Sequence, residues 1–179
     1  VYQKVMGPAN WLIEEFMLLA NETVATHLEK VAAPALFRIH EEPDLLKVAK
    51  FEEFVATFDL SLGAPLTALR PRHFQKLIER IAGKPEEKPI AFLMLRTMQK
   101  ARYDPSNLGH FGLAADSYTH FTSPIRRYPD LVVHRTLRES RHGGMSEERK
   151  AELTEELPEV ARHTSERERR ADDAERELV

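Results

Sequence analysis

Residues 123–130 read Ser-Pro-Ile-Arg-Arg-Tyr-Pro-Asp and combine the parts of an anion-binding turn. Ser123 followed by Pro124 is a helix start. Serine caps unpaired amides, and proline at the first helical position gives up only an amide that would be unpaired anyway. This arrangement would direct the amides of Ile125, Arg126 and Arg127 outward, where the helix dipole adds partial positive charge. Arg126 and Arg127 bring two guanidinium forks, each able to hold two phosphate oxygens. Asp130, four residues after Arg126, is spaced to pair with that fork or to compete for it. Pro129 cannot donate to the carbonyl of Ile125. A short turn at 124–128 and a main helix from about 129 to 141 are therefore expected.

Other residue types with chemical potential are scattered. Glu14 and Glu15 lie in LIEEFMLLAN. Adjacent residues point about 100° apart on a helix, so at most one faces inward. Such a carboxylate is either an ordinary solvated one or an acceptor for a ribose hydroxyl at an RNA cleft. Asn21 lies two turns on and could share that face. Arg96 and Lys100, one turn apart in an expected helix, would form a basic ridge or a plain solvated face. His110, His120 and His134 match no zinc spacing, and no H-E-x-x-H occurs, so no metal ligand is assigned here. His120 suits hydrogen bonding or base stacking, Tyr118 stacks on a base or packs, and Phe121 reads as core. Ser123 has no G-x-S-x-G around it, which leaves it a cap rather than a nucleophile.

The elements that must position these groups are mostly helical. Apolar spacing at Leu12, Ile13, Phe16, Met17, Leu19, Ala20, Val24 and Leu28 predicts a helix over 9–30 with one broad buried face. Residues 34–40 read as a strand. Pro43-Asp44 opens a helix to about Phe58, residues 59–70 form a loop, and a third helix runs from Arg72 to Ile81, stopped by Gly83. A fourth helix is expected over 90–102, broken by Tyr103-Asp104-Pro105. Phe111 to Ala114 reads as a strand, and His142-Gly143-Gly144 as a turn. Residues 146–179 give one or two helices bent near Pro158. Their Glu/Arg-rich end, from Ser165 on, reads as a solvated surface in which Asp172-Asp173 binds nothing. The fold class is mainly α with a few short strands.

Composition narrows the function. The net charge of −3 over 179 residues excludes an overall basic field, so a nucleic-acid site must come from local clustering. Arg126, Arg127, Arg135, Arg138 and Arg141 supply one. There is no cysteine, hence no disulfide framework and no thiolate metal site. No apolar run approaches membrane-spanning length, so no membrane partner is expected.

The stretch SYTHFTSPIRRYPDLVVHR, with LIEEFMLLAN, LMLRTMQKARYDPSNLGHFGLA at 93–114, and HTSERERRADDAERELV, resembles the ribonuclease II / ribonuclease R exoribonucleases. That resemblance implies the C-terminal part of a larger α+β catalytic domain of the RNB type, spanning 1–179. It implies processive 3′→5′ hydrolysis of single-stranded RNA to nucleoside 5′-monophosphates, with Mg²⁺, in the cytoplasm. Arg126 would contact the phosphate at the scissile bond. Glu14 or Glu15 would lie near the terminal nucleotides, and Tyr118 to Ser123, including His120 and Thr122, would line the channel with Arg127. Arg96 is the other candidate contact. The family's magnesium-binding aspartates and its OB-type RNA-binding domains have no counterpart in this sequence. The implied partners are therefore single-stranded RNA and a missing N-terminal half of the domain, which should leave apolar surface exposed here. The alternative is a non-catalytic helical RNA-binding module.

Overall fold

The structure, a computed structural model, describes residues 6–141 and 144–178. It is mainly α, with six α-helices and one two-stranded sheet among those residues. The chain forms two compact units.

The first unit comprises residues up to Ile39, then 102–108, then the chain from Asp116 onward. Helix α1 (Pro8–Lys30) begins with proline at its first position, and the Asn10 side chain accepts from the Gly7 amide. Strand β1 (Phe37–Ile39) pairs antiparallel with β2 (Arg102–Asp104), in the register Arg38 to Tyr103. Helix α5 (Tyr128–Arg141) packs on α1, and α6 (Glu147–Leu178) packs on α5 and β2. Val24, Leu28, Leu36, Ile39, Val133 and Leu157 lie at the centre of the core.

The second unit, residues 40–101 with 109–115, holds α2 (Leu45–Ala56), α3 (Pro71–Ile81), α4 (Glu87–Thr97) and short 3-10 turns at Leu66–Ala68 and Phe111–Leu113. Asp44 caps α2 by accepting from the amides of Leu46 and Lys47. Val48, Phe51, Phe74, Leu77, Ile81 and Ile90 form a separate core.

Four expectations need correction. The fourth helix ends at Thr97 rather than 102, because Arg102–Asp104 is a strand held by β1 and by the Ser165 hydroxyl, which accepts from the Tyr103 amide at 2.9 Å. Phe111–Ala114 is a turn rather than a strand, because His110 and Ala115 hydrogen-bond to each other and close it. The face of α1 is buried only from Asn21 onward. Trp11, Leu12, Ile13, Phe16 and Leu19 are each more than half exposed, because that end of the helix meets no core among the described residues. Helix α6 takes the single-helix form of the expectation, with Pro158 inside it. Its C-terminal stretch is not all solvated, since Thr164 and Ser165 are buried. The turn expected at His142-Gly143-Gly144 lies largely outside the described residues, as does the final Val179.

Candidate functional site

The site grows from residues 118–130, which α1 and β1 fix in place. The Arg38 amide donates to the carbonyl of Tyr118 at 2.9 Å, and the Thr119 hydroxyl donates to the carbonyl of Leu36 at 2.6 Å. Asn21, buried on α1, donates to the Tyr118 hydroxyl and accepts from the Phe121 amide. Tyr118 is therefore a core ring, 6% exposed, and offers no stacking face. Asn21 serves as a clamp and does not share a surface with Glu14. His120 takes the hydrogen-bonding role: its Nδ1 lies 2.8 Å from the Tyr103 hydroxyl. Burial pushes that hydroxyl up to about 12, with the Arg38 guanidinium over the ring opposing the rise. The Thr122 hydroxyl is buried and has no hydrogen-bond partner among the described residues.

Residues 124–126 form the expected turn, and α5 starts at Tyr128 with Pro129 in its first turn. The electrostatics differ from those read off the spacing. The amides of Arg126 and Arg127 both donate to the Ser123 carbonyl, at 3.3 and 3.1 Å, so they are not aimed at an anion. Asp130, fully buried, accepts from the Ser123 amide at 2.7 Å and from Arg127 Nη2 at 2.8 Å. It pairs with Arg127, not Arg126, because the turn breaks the helical register that a four-residue spacing requires. One arginine is thus locked and the other left over. Arg126 is exposed, and among the described residues its side chain makes one long contact, 3.5 Å, to the Ser123 hydroxyl.

Arg126 opens onto a cleft of ≈ 820 Å³ whose opposite wall is α6. Tyr103, Tyr128, Glu159, His163, Arg167 and Glu168 are among its lining residues. The carboxylates there are committed. Glu168 pairs with Arg38 at 2.6 Å, and Glu159 pairs with Arg162, whose hydrogen bonds hold its carboxyl below the usual range. Arg126 and Arg167 make no ion pair among the described residues. The cleft is therefore biased toward an anion, and guanidiniums rather than helix amides would grip it.

Glu14 and Glu15 lie on the exposed N-terminal half of α1. Arg96 lies in the last turn of α4, in the second unit, 5.7 Å from the Phe92 ring on its own helix. Lys100 falls beyond that helix, so the two do not form a ridge. Reasoning from sequence missed the cleft wall, His163, Arg167 and Glu168. The signal was available: Leu153, Leu157, Ala161 and Ser165 recur every four residues beneath the charges, marking a buried stripe.

No three His, Asp or Glu side chains among the described residues converge where they could share a cation. With Glu159, Glu168 and Asp130 all paired, the residues present do not fit a divalent-ion site. No described helix is long and apolar enough to cross a membrane.

A family model described as "RNB domain" matches residues 1–142. The chain belongs to the RNB-domain family. This RNB chain is 46% identical over 178 residues to Ribonuclease R 1 of Lactococcus lactis subsp. lactis (strain IL1403), covering 99% of the chain and 22% of that protein. It is 48% identical over 180 residues to Ribonuclease R of Aquifex aeolicus (strain VF5), covering 100% of the chain and 25% of that protein. Its fold is similar to that of Mycoplasma genitalium RNase R in complex with ribose methylated single-stranded RNA, with a TM-score of 0.88 at 30% identity, over 97% of the chain and 28% of that one. The RNB chain thus spans about a quarter of the length of these relatives.

Proposed function

We propose that this chain supplies the phosphate-gripping wall of an exoribonuclease site. The site acts on single-stranded RNA from the 3′ end and belongs to a cytoplasmic enzyme. The carrying observation is the uncommitted Arg126 guanidinium, held on a turn whose other arginine is locked by Asp130. The ribonuclease R relatives support the substrate class. Arg126 stabilises negative charge as it develops on the scissile phosphate, because a preformed cation needs no reorganisation when the charge appears. Within the first unit, Glu14, Glu15, His120 and Ser123 complete the proposed RNA-contacting set, with Thr122 and Arg127 acting through the turn; Arg96, in the second unit, is a separate proposed RNA contact. A Mg²⁺ ion belongs to this reading, with its ligands in an N-terminal half of the catalytic domain outside this chain.

The test uses 5′-labelled single-stranded RNA with Mg²⁺, with and without EDTA. It compares this chain with the same chain extended upstream to the length of its relatives. The longer polypeptide shortens RNA from the 3′ end in an EDTA-sensitive way, whereas this chain leaves RNA intact. In the longer polypeptide Arg126→Ala lowers kcat by roughly 10²-fold with little change in RNA affinity, as loss of a charge-stabilising donor does. RNA left whole by the longer polypeptide, or an unchanged rate in the variant, overturns the reading.

A further inference from the structure

The site above leaves α5's other arginines unused. Arg135, Arg138 and Arg141 are all exposed. At three-residue spacing they step about 60° around the helix and about 4.5 Å along it, which keeps them on one side. The two carboxylates of α5 are both committed elsewhere, Asp130 to Arg127 and Glu139 to Arg149. None of the three arginines makes an ion pair among the described residues. This sets them apart from Arg38, Arg127, Arg149 and Arg162, which all do.

The surface around them is concave. One hollow of ≈ 730 Å³ is lined by Arg135, Arg138 and Arg149 among others, and a second of ≈ 550 Å³ by Phe121, His134, Leu137, Arg138 and Arg141. Arg138 lines both, so the two hollows adjoin at its side chain along one arginine track. In the second hollow the rings of Phe121 and His134 are stacked at 4.0 Å and 9°. His134 Nε2, 2.8 Å from the Phe121 carbonyl, fixes that geometry.

We infer that this side of α5 is a second nucleic-acid site, holding the phosphodiester backbone of single-stranded RNA away from the reacting phosphate. The inference rests on the RNA reading proposed above. Arg135 to Arg141 lie roughly 10–20 Å along the helix from its first residue, Tyr128, so the track holds nucleotides remote from Arg126. Unpaired arginines with an aromatic wall suit a strand that offers both phosphates and bases. An acidic peptide would need only the charge, which is why nucleic acid is the occupant assigned.

The experiment titrates the 179-residue chain into a fluorescein-labelled single-stranded RNA 20-mer across a salt series. The comparison variant carries Arg135→Gln, Arg138→Gln and Arg141→Gln. These sites are exposed and glutamine is a good helix former, so the fold is retained, and circular dichroism verifies this. Each phosphate contact on a single strand contributes about 0.7 to the slope of log affinity against log salt. The slope of the triple variant should fall by roughly 2. An unchanged slope overturns the inference. Competition by polyglutamate as effective as by unlabelled RNA also overturns it, in favour of an acidic protein surface. Arg126→Gln alone removes less than one unit of slope. A triple variant that binds normally while the longer polypeptide degrades RNA removes this site and leaves the proposed function standing. A lost slope with an inactive longer polypeptide does the reverse.

Discussion

Asp130→Ala isolates the contact that organises the turn. The carboxylate is fully buried and receives the Ser123 amide at 2.7 Å and Arg127 Nη2 at 2.8 Å. Removing it leaves a part-buried amide without an acceptor, which costs about 1–3 kcal/mol. It also strips Arg127 of its counter-ion. Loss of one partner of a fully buried pair costs about 3–5 kcal/mol. Arg127 is 21% exposed and can turn to water, so about 1–2 kcal/mol is the appropriate share. The sum is about 3 kcal/mol. For a chain of this size each kcal/mol moves the melting midpoint by about 2–4 °C, giving a drop of roughly 6–12 °C. Asp130→Asn keeps an acceptor for the amide and should lose about half of that. Thermal melts of the two variants, of Arg127→Met and of the double mutant close a cycle whose coupling should be about 1–2 kcal/mol. A midpoint that Asp130→Ala leaves within a degree, or a coupling near zero, refutes the account of the turn.

The Tyr103 hydroxyl, pushed up to about 12 in the folded protein against an ordinary 10, should ionise late. Because its folded-state value is raised, its contribution to stability is complete below about pH 10 and fades as the pH climbs through 12. Near-ultraviolet phenolate absorbance should show a late step that Tyr103→Phe removes, and a folded-chain titration that Tyr103→Phe leaves unchanged near pH 12 contradicts the burial argument. Pro158 is exposed inside α6 and cannot donate to the carbonyl of Thr154, so Pro158→Ala should raise stability by about 1–3 kcal/mol in urea melts. A loss of stability would mean that the proline shapes the helix for its packing.

Local signals were legible where the chain decides them locally. Pro8 sits at a helix start, Asp44 caps α2, and the helix expected from Arg72 to Ile81 runs Pro71–Ile81. The turn at 124–128 followed from its two prolines. What failed depended on distant partners. Arg102–Asp104 is a strand only because Phe37–Ile39 and Ser165 reach it. The pairing of Asp130 went to the wrong arginine because helical spacing was applied across a turn. The α1 spacing marked a helix, yet of the eight apolar positions only Val24 and Leu28 are buried, because among the described residues nothing covers the N-terminal half of that face. In α6 a dense charge pattern hid a narrow buried stripe that brings His163 and Arg167 to the cleft.

The short ladder between β1 and β2 has a kinetic consequence. It staples residues 37–39 to 102–104, so the whole of 40–101 is a loop closed by three residue pairs. The entropy of closing such a loop grows only with the logarithm of its length, so the length of the loop by itself costs the fold little. Speed is another matter, since contacts far apart in sequence form slowly. The loop carries a core of its own, and its condensation shortens the effective distance between the two strands. Condensation of the second unit should therefore set the pace at which this ladder closes: a lesion in the core around Phe51, Phe74 and Ile81 should delay assembly of the first unit.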